Sequence, residues 1–246
     1  LSLPALLVCI GILVPFFTAV INSFQRYRLS QPWARKFNWG ENYWTFFTDP
    51  SFWNTLKISL LYAFLTVTLE LVLGLAIALL LQRRSTVNNF ISIMLLLPLM
   101  IAPALAALMW KLMTNPGFGI LSYFAGLIGL DNFRWASSPD TALLTVVLVD
   151  IWVYTPFIMI LLLAGLRSLP TQPFEAAALD GVPRSFVFFR ITLPMLTPYI
   201  LTATLFRLLD SIQQFDIIYA MTQGGPGDTL TVFQVEAYLN FFQSTN

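Results

Sequence analysis

Five segments of this chain are long and apolar enough to cross a lipid bilayer, and this constrains the fold more than any other feature. A helix needs about 20 mostly apolar residues to span the hydrocarbon core. The chain is 57% hydrophobic and only 10% charged, against about 25% charged in a typical soluble domain. The sequence therefore predicts an all-α, polytopic transmembrane helix bundle that forms a single domain over residues 1–246. The predicted spans are Leu3–Phe24, Phe52–Leu81, Phe90–Met113, Thr141–Leu166 and Ile191–Tyr219.

Polar stretches separate the predicted spans. The stretch Gln25–Ser51 is rich in Trp and Tyr, which favour the membrane–water interface. Gln82–Asn89 predicts a tight loop that closes a helical hairpin, and residues 114–140 form the next excursion. The Gly and Pro residues of Thr222–Asp228 predict a turn. Basic residues divide evenly between the two sets of loops, so the positive-inside rule does not fix the orientation.

Residue usage excludes several classes of function. The sequence contains no histidine, which removes Ser-His and Cys-His mechanisms and the commonest metal ligand. Cys9 is the only cysteine, so an intrachain disulfide is excluded. We expect no catalytic and no metal-ligating residues. The net charge of +1, without a basic cluster, predicts no nucleic-acid partner.

The stretch from Glu175 to Pro194 places a short helix between two apolar segments. Pro173 suits the first helical position, and the charge of Glu175 suits a helix N-terminus. Gly181 is the expected stop. The run of alanines leaves a surface that another protein can approach closely. The alternative is a solvated surface helix that only joins two spans.

Four motifs resemble the permease subunits of bacterial ATP-binding-cassette (ABC) importers. In the Glu175–Pro194 stretch, Glu-Ala-Ala, Gly181, Ile191 and Leu-Pro have the spacing of that family's signature loop. "FDIIYAMTQGGP" resembles the segment after the penultimate helix of carbohydrate-uptake permeases, including the maltose and glycerol-phosphate permeases. "WVYTPFIMILLLAGLRSLP" leads into the loop as it does in that family, and "NYWTFFTDPSFWNTLKISLLY" is a looser match. Together they cover nearly the whole chain.

The resemblance implies that a segment of about residues 167–191 forms a cytoplasmic coupling loop, which docks in a cleft of an ATP-hydrolysing subunit. The matched positions are Glu175, Ala176, Ala177, Asp180 and Gly181. The chain has no Gly-x-x-x-x-Gly-Lys-Ser/Thr motif of its own. We therefore expect a transport subunit and not an enzyme, with no cofactor bound by this chain and with ATP and Mg on the partner subunits.

The same resemblance implies the rest of the assembly. The implied partners are two ATPase subunits, a second homologous permease, and an extracytoplasmic solute-binding protein that meets the outer loops, about residues 25–51, 114–140 and 220–230. The implied substrate is a di- or oligosaccharide or a related polyol, carried across the bacterial inner membrane by alternating access. The chain starts at Leu1, and the family usually has a further span after the Gly-Gly-Pro loop, so we expect a sequence incomplete at both ends.

Two polar-aromatic stripes lie in the fourth and fifth predicted spans. Their members recur at i, i+4 and i+7, which places each stripe on one helical face. Their polar groups suit sugar hydroxyls, which both donate and accept hydrogen bonds, and in the resembled family these two helices contact the sugar. The predicted substrate-binding residues are Asp150, Tyr154, Phe157, Arg207, Ser211 and Gln214. Leu99 and Pro103 match further contact positions but offer no polar side chain.

Other interpretations of the intramembrane polar residues stay open. Asp150 and Arg207 could pair only with each other and hold helices together. Glu70 has no partner that the sequence identifies, and a helix–helix hydrogen bond is favoured there over a ligand. Pro98, Pro103 and Pro156 predict kinks or breaks, which serve either packing or a binding cavity.

Three other functions compete with a sugar importer. A membrane-embedded enzyme would use Asp150 and Asp210 as a carboxylate pair. An ion-coupled secondary transporter would bind its ion at Asp150 or Glu70. An importer for amino acids or peptides would share the coupling loop but not the Gly-Gly-Pro segment.

Overall fold

The fold is a bundle of helices, with two short antiparallel strands, Gln25–Arg26 (β1) and Lys36–Phe37 (β2), as the only strands among the described residues. The computed structural model describes residues 2–26, 36–130 and 133–242, with side chains from residue 6 onward. Parts of the predicted outer loops, residues 27–35 and 131–132, lie outside the described residues. The helices are α1 Ser2–Ser23, α2 Glu41–Thr48, α3 Pro50–Leu81, α4 Thr86–Leu95, α5 Pro103–Met113, α6 Ile120–Leu127, α7 Pro139–Ser168, α8 Gln172–Leu179, α9 Arg184–Val187, α10 Leu193–Ile212, α11 Asp216–Thr222 and α12 Phe233–Phe242.

Four helical stretches of the described chain are long and apolar enough to cross a membrane. They are Leu6–Ser23, Pro50–Leu81, Pro139–Ser168 and Arg184–Ile212. The last begins in α9 and reaches α10 through one π-helical stretch, Phe188–Thr192. These helices agree with the predicted first, second, fourth and fifth spans, although the fifth starts earlier than predicted.

The predicted third span is not one continuous helix. It consists of α4 and α5, which are joined by a 3₁₀ turn at Pro98–Met100. Pro98 and Pro103 each lack a backbone N–H and prevent an α-helix from running through them. The predicted fifth span is also interrupted, because α10 ends at Ile212 and α11 starts only at Asp216. Each of these two predicted spans is therefore divided into two helices. The break in the third agrees with the kink or break predicted at Pro98 and Pro103, whereas the interruption of the fifth was not predicted.

Local sequence explains where the long helices begin. The carboxylate of Asp49 caps α3 by accepting a hydrogen bond from the Ser51 amide at 2.9 Å, and Pro50 follows in the first turn. Ser85 caps α4 by accepting from the Asn88 amide at 3.1 Å. Both arrangements satisfy amides that a helix N-terminus leaves unpaired.

The buried core has two parts: one lies among α3, α5, α7 and α11, and the other lies where α3, α7 and α10 pack together. A β-carbon added to Gly74 of α3 would lie 2.8 Å from Cγ2 of Ile158 of α7, so these two helices touch almost backbone to backbone. Close approach through small residues is the usual way in which membrane helices associate. Helix α1 stands apart, because all its described side chains from Leu6 to Ile21 are exposed. The three packed helices therefore carry the polar groups described next.

Candidate functional site

A cluster of charged side chains lies in the middle of the apolar core. Arg207 projects from α10, Glu70 from α3 and Asp150 from α7, and each of these side chains is at most 1% exposed. The three helices bring together residues that are far apart in the sequence. The cluster therefore exists only because these helices pack against one another.

Four hydrogen bonds hold the guanidinium of Arg207. Its Nε donates to Oε2 of Glu70 at 2.6 Å, and its Nη2 donates to Oε1 of the same carboxylate at 3.0 Å. Nη2 also donates to Oδ2 of Asp150, and Nη1 donates to Oδ2 of Asp210 at 2.9 Å. The contact with Glu70 has the bidentate geometry that fits a carboxylate to an arginine.

The structure confirms the helix–helix hydrogen bond that was favoured for Glu70 and identifies its partner. Glu70 binds Arg207 through both of its oxygens. The ion pair between Asp150 and Arg207, which one interpretation of the sequence required, is present as well. The contact of these residues with a substrate stays a prediction.

The other predicted substrate-binding residues divide into two groups. Tyr154 stacks on Arg207, with its ring centre 4.0 Å from the guanidinium carbon. Gln214 donates to Oδ1 of Asp150 at 3.1 Å, and the hydroxyl groups of Ser211 and Thr66 lie 2.9 Å apart. Phe157, in contrast, packs against the apolar cluster around Ile158 and Leu196. Five of the six predicted residues therefore belong to one polar cluster and its lining, and Phe157 belongs to the neighbouring apolar core.

Asp210 gives the cluster an exposed side. Its carboxylate is 53% exposed, whereas its partner Arg207 is 1% exposed.

Leu99 and Pro103 lie at the break between α4 and α5, and both are partly buried. A break in a membrane helix is tolerated where protein or a water-filled cavity surrounds it.

The short helix predicted between the fourth and fifth spans is present as α8, and its coupling role stays a prediction. Pro173 lies in its first turn with Glu175, the chain leaves the helix at Asp180, and Gly181 follows with φ +65°. Glu175, Ala176, Asp180 and Gly181 are exposed, and Ala177 is buried within this chain. Of the predicted contact residues, Ala177 is therefore the one whose side chain is not available to another protein.

Two contacts join the end of α7, just before α8, to the neighbouring long helices. Nη2 of Arg167 donates to the carbonyl oxygen of Leu81, the last residue of α3, at 2.9 Å. The hydroxyl groups of Ser168 and Tyr199 lie 2.7 Å apart and join α7 to α10. A groove of about 550 Å³ beside α8 is lined by Gln82, Arg84, Leu166, Arg167, Leu169, Thr171, Phe174, Glu175, Ala178 and Thr192. The loop is thus attached to the same three helices that hold the charged cluster.

A comparison of the sequence with models of known protein families identifies the family of this chain. The model described as binding-protein-dependent transport system inner membrane component matches residues 70–245. The chain belongs to this family of inner membrane components. The resemblance to importer permeases is therefore confirmed, and this inner membrane component is a multi-pass protein of the inner membrane.

Named relatives cover most of the chain. The trehalose/maltose transport system permease protein MalF of Thermococcus litoralis is 34% identical over 197 residues, which are 80% of this chain and 67% of the relative. The sulfoquinovosyl glycerol transport system permease protein SmoG of Agrobacterium fabrum is 33% identical over 236 residues, 96% of this chain and 77% of the relative.

A solved structure supports the fold. It is a bacterial ABC transporter involved in the import of the acidic polysaccharide alginate, and it matches with a TM-score of 0.83 at 22% identity. The match covers 99% of this chain and 83% of the other. The predicted helix bundle of the importer-permease type is therefore confirmed.

Sequence reasoning about this inner membrane component missed three contributors to the cluster. Glu70 had no assigned partner, Thr66 was not considered, and Asp210 was named only as the possible carboxylate partner of Asp150 in an enzyme. The signal was present in the composition of the spans, because Arg207 is outnumbered there by acidic residues and a buried arginine requires carboxylate partners. No group of three or more His, Cys, Asp or Glu in the described part of the chain is arranged to hold a metal ion.

Proposed function

We propose that this chain is the permease subunit of an ATP-driven importer for a sugar, either a di- or oligosaccharide or a related polyol. One observation carries the proposal: α7 connects the charged cluster directly to the coupling loop. Asp150 lies in the middle of α7, and the helix ends at Ser168, four residues before α8 begins. At 1.5 Å per residue, the rise from Asp150 to Ser168 is about 27 Å.

The substrate class is taken from the named relatives together with the chemistry of the cluster. MalF of Thermococcus litoralis is named for trehalose and maltose, and SmoG for a sulfoquinovosyl glycerol. The carboxylate of Asp210, the hydroxyl of Ser211 and the amide of Gln214 offer the donors and acceptors that sugar hydroxyls need. Tyr154 adds an aromatic surface for the apolar face of a sugar ring.

The proposed assembly contains two ATPase subunits, a second homologous permease and an extracytoplasmic solute-binding protein. ATP and Mg bind to the ATPase subunits, which dock on α8 through Glu175, Ala176 and Asp180. The outer loops, including Gly224-Gly225-Pro226, meet the solute-binding protein. Docking forces on α8 pass to α3 and α10 through Arg167 and Ser168, because these side chains bind the neighbouring helices.

Transport proceeds by alternating access in this proposal. The two permeases open the cavity between them outward as the binding protein releases its sugar, and they return inward after ATP hydrolysis. The sugar is moved without a bond being made or broken, so this chain is not an enzyme. Its own residues bind the sugar, exclude other solutes and transmit movement.

The test is ATP hydrolysis by the complete reconstituted transporter with its binding protein, across mono-, di- and oligosaccharides, polyols and amino acids. Stimulation by one class of sugar or polyol is the expected result. Stimulation of ATP hydrolysis only by an amino acid would contradict the assignment of a sugar substrate but would still support an importer. An intact complex that responds to no solute would contradict the importer and favour an ion-coupled transporter.

A further inference from the structure

The positive charge of Arg207 is neutralised by carboxylates of the same chain. The four hydrogen bonds to Glu70, Asp150 and Asp210 use four of the five N–H groups of the guanidinium. Tyr154 covers one face of the group. An anionic ligand could not reach this arginine unless the surrounding side chains moved, because the arginine side chain is only 1% exposed.

The exposed surface of the cluster carries negative charge. Three carboxylates surround one guanidinium. Of these four side chains, only that of Asp210 is substantially exposed. Asp216, in the first turn of α11, is exposed and adds a second carboxylate after the end of α10. A solute that meets this surface meets carboxylate oxygens, which accept hydrogen bonds from hydroxyl groups and repel anions.

We propose that this subunit selects uncharged sugars or polyols over anionic ones, and that Asp210 is the residue which makes this selection. The inference rests on the proposed function and narrows its substrate class. The relatives do not decide between uncharged and anionic substrates. One is named for trehalose and maltose, which are uncharged, and another for a sulfonated sugar. Arg207 acts as a positioning residue, because it holds the Asp210 carboxylate at the edge of the cluster, and Glu70 and Asp150 in turn hold Arg207.

A thiol reporter measures the charge of this surface without knowledge of the sugar. Gln213 is exposed and lies three residues after Asp210, so their β-carbons are about 6 Å apart at helical spacing. Gln213→Cys is introduced into a Cys9→Ser background, which removes the only native cysteine. The rates of modification by cationic, neutral and anionic methanethiosulfonates are then compared in the complete transporter.

The expected result is that the cationic reagent reacts faster than the anionic one. At about 6 Å in water, a unit charge changes each rate ~threefold in opposite directions. Asp210→Asn should therefore lower the ratio of cationic to anionic rates about tenfold. Asp210→Glu keeps the charge and should keep the ratio. An unchanged ratio in Asp210→Asn, or an introduced thiol that reacts with none of the reagents, would overturn the proposal.

A second readout uses transport itself. The complete transporter in liposomes is given the best uncharged sugar from the panel and the same sugar oxidised to its carboxylate. Each of the two sugars is supplied at a concentration that saturates the binding protein. A sugar that the binding protein does not bind is supplied at a millimolar concentration. The uncharged sugar should be taken up and the carboxylate rejected by wild type, and Asp210→Asn should reduce this preference. Equal uptake of both by wild type would refute the charge selection and leave the sugar-import proposal intact, whereas uptake of neither would refute the import proposal.

Discussion

At the scale of single residues, Arg207 decides whether the centre of the bundle is stable. Replacing Arg207 by Met leaves Glu70 and Asp150 buried without their cation. Breaking a buried ion pair from one side costs about 3–5 kcal/mol. We therefore expect Arg207→Met to lower the unfolding temperature of the purified permease strongly, as measured by tryptophan fluorescence during heating.

The matched variant removes the whole buried network. A triple change, Arg207→Met with Glu70→Leu and Asp150→Leu, leaves no unpaired charge at these three buried positions, and apolar replacements of buried ion pairs are often neutral or stabilising. The triple variant should regain most of the lost stability but should not transport. If Arg207→Met alone unfolds at the wild-type temperature, the cluster does not stabilise the bundle.

The sequence predicted part of this cluster from spacing alone. Asp150 and Tyr154 share a face because they are four residues apart on one helix, and both contact Arg207 as a result. The partner of Glu70 could not be predicted, because it lies 137 residues away on a helix whose rotation is set by packing. A pattern within one helix says nothing of the register between helices.

At the scale of helices, Gly165 controls the approach of α7 to α10. A β-carbon at this position would lie 2.6 Å from Cγ of Tyr199, at the base of the ring, where the side chain moves least. Overpacking of this kind costs about 1–3 kcal/mol. Gly165→Ala should therefore lower the unfolding temperature and break the hydrogen bond between Ser168 and Tyr199.

A double-mutant cycle identifies the cause. In a Tyr199→Ala background the added methyl group meets no ring, so Gly165→Ala should then cost much less than in wild type. Gly11→Ala, on exposed α1, has no atom within 4 Å of its new β-carbon and should leave stability nearly unchanged. Equal costs of Gly165→Ala in both backgrounds would exclude the steric explanation.

Apolar runs and punctuation predicted most helices but not their interruptions. The cap at Asp49 and Pro50 and the stop at Gly181 are local signals, so the start of α3 and the end of α8 follow from the sequence. The break at Pro98–Met100 was predicted only as a kink or break within one span. Whether a membrane helix bends or stops at a proline depends on the neighbours that satisfy the freed backbone groups, and these come from the rest of the bundle.

At the scale of the whole transporter, Gly181 connects ATP hydrolysis to transport in the proposed function. Its φ of +65° is readily adopted by glycine, whereas proline fixes φ near −65°. Proline would also remove the hydrogen bond from the Gly181 amide to the carbonyl oxygen of Ala178, 3.3 Å long. Gly181→Pro should therefore displace the end of α8. The spans should stay folded in the membrane, because a β-carbon at this position has no atom within 4 Å.

The expected phenotype of Gly181→Pro is uncoupling. Sugar uptake should fall to background, and ATP hydrolysis by the partner subunits should no longer respond to the loaded binding protein. Gly181→Asn is the matched control, because asparagine tolerates the left-handed conformation and a β-carbon there has open space around it; it should keep most of the uptake. Membrane fractions probed for the subunit separate uncoupling from loss of the protein. Unimpaired uptake by Gly181→Pro would mean that α8 is only a surface helix between two spans, and that the transporter takes its energy through another part of the molecule.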